Sequence, residues 1–394
     1  MRQGLILTSS ARMSVVALWA GLALASLFCD CATGKYRFPQ TAAQDPRNTV
    51  QANLGSRLET VLEDCVISLN IPGIQACVVF DDGRRWQGVA GTTTFQRDKS
   101  MEAGSLFRIA SATKFFTAIV IMKYVEQGKI SLSDPLAKWF PDIKAADKIT
   151  VEMLLNHTSG LPDTFEDFGA LLASGLNAHK VWTAAELVKV HGGKHYFEPG
   201  TNWRYSNFNY MLLGMIAEKI SGKDFGAILH EELLDPLSLT ETYYPLTEKV
   251  PSALVPGFDR SLMPYPNTNA SDNTAWASLA AASGAIVSTA TDMASLASAF
   301  FNDRILGHAT VERMLDFKAG KNPGSAWTGY GLGVVRAFID GVEYWGHEGL
   351  FIGFESYVLY CPKYKFTIAI VGNTSRFDQE SVIAELSRIA STGP

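Results

Sequence analysis

The sequence predicts an α/β (α+β) protein in which one antiparallel sheet, assembled from both ends of the chain, is flanked by helices and carries an inserted all-helical subdomain. Two patterns predict it. Short β-rich runs occur early, at Gly73 to Phe80 and Trp86 to Ala90, and again late, at Tyr330 to Phe338, Val342 to Gly346, Phe354 to Cys361 and Phe366 to Val371. Between them, from Ser133 to about Phe301, the apolar spacing is mostly helical, with loops at Leu161-Pro162-Asp163 and Glu198-Pro199-Gly200. The helical subdomain is placed at roughly residues 130–300, and a functional site belongs in the cleft between it and the sheet.

Taken in order, the first 30 residues form a separate segment: Arg2 and Arg12 precede a nearly uninterrupted apolar run from Met13 to Phe28. The run is shorter than the ~20 residues of a spanning helix, and Ala23-Leu24-Ala25 offers small residues for cleavage, so a secretory signal and an exported body are expected. An uncleaved membrane anchor at the N-terminus is the alternative. Residues 31–49 are polar and turn-rich and read as a linker, leaving residues 50–394 as the folded body.

In the body, Leu58, Val61, Leu62, Cys65 and Val66 mark a helix from about Gly55 to Leu69. The turn Asp81-Asp82-Gly83-Arg84 joins the first two strands, and Ser381 to Ile389 closes the chain as a helix. The stretch from Ser111 to about Gln127, stopped by Gly128, carries apolar residues on nearly every face and is expected as a central buried helix. Cys29 and Cys31 stand at the junction of leader and linker, and the body has only Cys65, Cys77 and Cys361, Cys65 in a helical and Cys77 in a strand-like setting, so free buried thiols are expected.

With 394 residues, 47% of them hydrophobic, the chain can bury a large core, and a net charge of -5 without a Lys/Arg-rich block argues against nucleic-acid partners. The chemistry is concentrated in three places. Ser111-Ala112-Thr113-Lys114 places a lysine three residues after a serine, so that on a helix the amine reaches the hydroxyl within one turn. A lysine kept neutral by burial can take the serine proton and turn a poor nucleophile into a good one. Tyr205-Ser206-Asn207 supplies a phenol for proton relay and an amide able to accept from the lysine; in isolation it also reads as a core tyrosine with a capping pair. Gly346-His347-Glu348-Gly349-Leu350, between predicted strands, offers His347 to orient polar groups or a substrate carboxylate and Gly349 for close approach to a strand edge.

In this order, the three segments resemble the serine hydrolase family of class C β-lactamases, D-alanyl-D-alanine carboxypeptidases, D-amino-acid peptidases and family VIII carboxylesterases. The resemblance spans roughly Gly73 to Val371, including Leu154-Leu155-Asn156-His157-Thr158-Ser159-Gly160-Leu161-Pro162, Ala282-Ser283-Gly284 and Tyr330-Gly331-Leu332-Gly333. It implies a β-lactamase/transpeptidase-like fold, Ser111 as acylated nucleophile, Lys114 and Tyr205 as acid/base pair, and Asn207 as partner of substrate and lysine. His347 and Gly349 take the place of the third motif, and the N–H groups of Ser111 and Leu350 form the oxyanion hole. Where β-lactamases of this kind carry lysine, this chain has His347, the form more typical of the peptidase and esterase branches. Glu348 stands where a small residue is usual; facing the cleft, its charge would repel a substrate carboxylate and favour ester, amide or amine-bearing substrates.

The expected function is therefore a serine hydrolase acting on ester or amide bonds of a small-molecule or peptide substrate. A D-Ala-D-Ala carboxypeptidase or β-lactamase is one alternative, and a catalytically weak penicillin-binding or sensor paralogue is another. No cofactor or metal is called for: Phe351 stands where a zinc motif built on His347 needs a second histidine, and Gly192-Gly193 interrupts the pair His191 and His195. No G-x-S-x-G elbow occurs.

Overall fold

Strand burial explains why the apolar runs at the two ends of the chain find each other. The computed structural model describes residues 50–392 except 95, 252–253, 260–266, 269–273, 319 and 321–325, so the expected leader and linker lie outside the described residues. The strands are β1 (Gly73–Phe80), β2 (Arg85–Gly91), β3 (Phe107–Arg108), β4 (Gly257–Phe258), β5 (Asn267–Thr268), β6 (Val287–Ser288), β7 (Trp327–Tyr330), β8 (Val335–Ile339), β9 (Val342–Phe351), β10 (Phe354–Cys361) and β11 (Phe366–Gly372). The helices are α1 (Ala52–Ser68), α2 (Thr113–Glu126), α3 (Val151–Leu155), α4 (Phe168–Leu176), α5 (Ala184–His191), α6 (Asn207–Ser221), α7 (Phe225–Leu229), α8 (Thr274–Ala280), α9 (Ala290–Phe301), α10 (His308–Met314) and α11 (Gln379–Ala390).

One seven-stranded sheet has the order β2-β1-β11-β10-β9-β8-β7, every pairing antiparallel. The last strand, β11, pairs with the first, β1, and both are buried at every position. Full burial on two faces is why they read as continuous apolar runs. Cys77 and Val79 of β1, Val358 of β10 and Ala369 and Val371 of β11 point into the core shared with α2 and α9. The other face is covered by α1 and α11, which pack on each other. Helix α9 lies against β1, β10 and β11, so the layer that covers the sheet already begins at Ala290.

Helix α2 is buried except at Lys123, Val125 and Glu126, and Gly128 beyond it adopts φ +67, as its composition and its glycine predict. It is entered by a tighter turn, Ala110–Ala112, that holds Ser111. Cys65, Cys77 and Cys361 are buried, and none of them is in a disulfide.

Two local expectations change. Tyr330 to Phe338 is a hairpin and not one strand: β7 ends at Tyr330, Gly331 N–H donates to Val334 O, and β8 begins at Val335. Gly333 sits at φ +80 with its α-carbon so close to α2 that a β-carbon would lie 2.2 Å from Ala118 Cβ. Helix contact, invisible to local propensity, makes this turn. Strand β9 runs on from Gly346 through Phe351, so the His347 segment is strand and not a connector. Strand β8 pairs with it only as far as Gly346, which leaves His347 to Phe351 hydrogen-bonded to β10 on one side.

Candidate active site

The site forms where the N-terminus of α2, the N-terminus of α6, the turn after α8 and the free part of β9 converge. Ala110, just before Ser111, holds φ +49, a left-handed conformation that a non-glycine residue adopts only when its surroundings impose it. One imposing contact is visible: Ser356 Oγ of β10 donates to Ile109 O at 2.7 Å. Gly349 packs on the same turn, and a β-carbon there would come within 2.1 Å of Ile109 O and 3.0 Å of Ser111 N. The close approach expected at Gly349 is therefore made by the Ser111 turn itself.

Lys114 is completely buried, while Ser111, Tyr205 and Asn207 are partly open to solvent above it. Its Nζ lies 3.2 Å from Ser111 Oγ, 2.6 Å from Asn207 Oδ1 and 2.7 Å from Ser283 O. Burial brings the amine down to about 7, with the nearby Asp163 carboxylate pulling the other way. A neutral amine has two hydrogens and one lone pair. Asn207 Oδ1 and Ser283 O can only accept, so they take the two hydrogens, and the lone pair is left for the one neighbour with a proton to give, Ser111.

Tyr205 contacts Ser111 by a side-chain hydrogen bond, and its ring centroid is 4.8 Å from Lys114 Nζ. Burial, then the neighbouring Tyr330, holds its phenol well above the ordinary value. The phenol is thus held protonated beside Ser111, on which the Lys114 amine also converges. Asn207 is fixed by a residue that sequence reasoning passed over as part of a loop: its Nδ2 donates to Asp163 Oδ1 and Oδ2 at 2.9 and 3.1 Å. The Leu161-Pro162-Asp163 turn was the only signal, and nothing in it points to position 207.

The third segment departs from expectation. His347 is 0% exposed and does not face a substrate; its Nδ1 donates to Glu348 O at 2.7 Å, so its Nε2 accepts from Tyr330 Oη at 3.1 Å. Burial, with Lys114 nearby, drives the ring down to about 3, and it is neutral. The physical reason is strand alternation: His347 and Gly349 share the side of β9 that packs on α2 and the Ser111 turn. Glu348 points to the other side, opposite Tyr357, and its carboxyl is hydrogen-bonded by the Tyr357 and Trp327 side chains. Glu348 is half-buried there, and its charge still acts on the Tyr205 phenol, which packs on Trp327 with ring centroids 5.9 Å apart. Leu350 is 58% exposed on the part of β9 that pairs with β10 but is left uncovered by β8. Among the described residues no cluster of His, Cys, Asp or Glu has the form of a metal site, and no helix is long and apolar enough to cross a membrane.

Fold and site together define a serine-nucleophile protein of the β-lactamase/transpeptidase architecture, with a Ser-x-x-Lys pair at the start of a buried helix. The Beta-lactamase family model matches residues 58–390, and the chain belongs to that family. The D-amino acid amidase of Ochrobactrum anthropi SV3, solved with L-phenylalanine amide, superposes with a TM-score of 0.75 at 28% identity, over 86% of this chain and 97% of that one. The D-stereospecific amidohydrolase of a Streptomyces species gives 0.73 at 29% identity, over 84% and 98%. Penicillin-binding protein 4* of Bacillus subtilis (strain 168) is 34% identical over 155 residues, 39% of this chain and 33% of that protein. Protein flp of Staphylococcus aureus (strain COL) is 27% identical over 204 residues, 48% of this chain and 38% of that protein. The match thus spans only 33% to 38% of the length of these curated relatives.

Proposed function

We propose that the protein is a serine acyl hydrolase that cleaves amide or ester bonds through an acyl-enzyme on Ser111. The observation that carries this reading is the fully buried Lys114 amine, 3.2 Å from Ser111 Oγ, whose other two neighbours, Asn207 Oδ1 and Ser283 O, can only accept. Ser111 Oγ attacks the substrate carbonyl while its proton passes to Lys114 Nζ. The oxyanion is received by the N–H groups of Ser111 and Leu350, and the tetrahedral intermediate breaks its bond to the leaving group as the Tyr205 phenol protonates that group. Lys114 Nζ then gives its proton to the Tyr205 phenolate beside it, which restores both groups. Water loses a proton to Lys114 as it attacks the ester, and the second tetrahedral intermediate collapses with that proton returning to Ser111 Oγ as the acid is released.

Likeness to the D-amino acid amidase and the D-stereospecific amidohydrolase supports small amides of D-amino acids as substrates, with esters accepted by the same chemistry. The apolar run at Met13 to Phe28 supports an exported or N-terminally anchored protein. The test combines a fluorophosphonate label with hydrolysis of D-phenylalanine amide, p-nitrophenyl butyrate and a chromogenic cephalosporin. Labelling and turnover are expected in the wild type and absent in Ser111→Ala. Turnover that survives in Ser111→Ala refutes the assignment, and fluorophosphonate labelling of Ser111 without turnover of any of the three substrates favours a binding or sensor protein.

A further inference from the structure

Beneath Tyr205 lies a histidine with no part in the steps above. His157 follows α3 at φ +63 and is 0% exposed. Its carbonyl accepts from Arg204 N–H at 3.0 Å, and its ring Nδ1 accepts from Ser206 N–H at 3.2 Å. Its ring centroid is 4.5 Å from that of Tyr205. One residue thus grips the peptide on both sides of the phenol and supports the phenol ring itself.

The protonation state follows from the partners. Ser206 N–H can only donate. Asn209 Oδ1 is taken by Ser159 Oγ at 2.7 Å, which turns Asn209 Nδ2 toward His157 Nδ1 at 3.2 Å. Two donors converge on Nδ1, so Nδ1 holds the lone pair and the proton of the neutral ring sits on Nε2. Nε2 has no hydrogen-bond partner among the described residues; it lies in an aromatic cage with Tyr330 at 4.7 Å, Tyr210 at 5.2 Å and Trp203 at 6.1 Å between ring centroids. A second proton would require Nδ1 to abandon Ser206 N–H. Burial and the nearby Lys114 also oppose it, holding the ring well below its ordinary value.

We infer that His157 is the positioning residue of Tyr205: as a neutral Nε2–H tautomer it clamps residues 204–206 and aims the phenol at the leaving group. The inference rests on the reading of Tyr205 as proton donor. His157→Asn is the informative variant, because asparagine tolerates the left-handed backbone and keeps an acceptor near Nδ1 while removing the ring. His157→Ala removes both.

A misaimed phenol harms substrates whose leaving group needs a proton and spares those whose leaving group does not. With D-phenylalanine amide, kcat in His157→Ala is expected to fall about a hundredfold, against about fivefold for the p-nitrophenyl ester of the same acyl group, and His157→Asn to fall between wild type and His157→Ala. KM is expected to change little. Equal losses for the two leaving groups, as a merely structural role gives, overturn the inference. Histidine 15N NMR on the wild type reads the tautomer without reference to activity, and an Nδ1–H or doubly protonated His157 at pH 7 also overturns it. If Ser111 in the wild type takes no fluorophosphonate, the acyl-transfer reading fails on its own account, and the NMR tautomer still decides whether the clamp exists.

Discussion

In the proposed mechanism Lys114 must lose its proton before it can act as a base, and its fully buried amine is brought to about 7. The catalytically competent form therefore gains with rising pH, and kcat/KM is expected to climb through an acid limb centred near that value. Asp163 opposes the drop by charge, so Asp163→Asn, which keeps an acceptor for Asn207, is expected to move the limb down by about one unit; pH–rate profiles of the two proteins check this. Lys114→Arg keeps a cation but removes the base and is expected to lower kcat/KM by at least about a thousandfold in steady-state assays, with Ser111 labelling slowed in step.

Strand β9 shows how one element serves both fold and site. On the α2 side Gly349 admits the Ser111 turn, so Gly349→Ala pushes a methyl group into Ile109 O and Ser111 N. The expected stability loss is about 1–3 kcal/mol, with a larger proportional loss of kcat, measured by denaturant unfolding and by the acylation burst. On the far side, toward α11, Glu348 and the neighbouring Glu355 of β10 are both raised by burial, Glu355 to about 7. An acid whose folded value lies above its unfolded one favours folding most when protonated. Stability from Glu355 is therefore complete below the ordinary glutamate range and is lost as pH rises through about 7. Glu355→Gln is expected to flatten this loss, so its Tm gain over wild type should be larger at pH 8 than at pH 5.

At the scale of the whole molecule, β11 stands between β1 and β10, so the N-terminal hairpin is held in the sheet by the last strand of the chain. A chain stopped after Lys365 loses β11 and α11 and strands β1 and β2 without a partner on that side; no cooperative near-UV transition is expected from it. Closing the sheet needs pairings such as Gly73 to Phe80 with Phe366 to Gly372, which are as distant in sequence as the body allows and predict slow folding. Cys65, Cys77 and Cys361 are buried outside any disulfide, and they are expected to react with a thiol reagent only after unfolding and to leave Tm insensitive to reductant.

The sequence by itself determined the elements whose signal is local: β1 and β11 as nearly continuous apolar runs, α2 as a helix without a polar face, and the Ser111–Lys114 spacing. It also placed Tyr205 and Asn207 beside that pair, through the order of the motifs and the resemblance they carry. Only the tertiary structure decided what depends on partners far along the chain. Asp163 orders Asn207 from 44 residues away, Gly333 turns because Ala118 lies against it, and His347 is buried against Tyr330 and not offered to substrate. Glu348 is turned by strand alternation toward Tyr357 and Trp327. The division has one physical cause: hydrophobic periodicity and spacing are written in neighbouring residues, whereas burial, charge coupling and the direction of a lone pair exist only once distant segments have met.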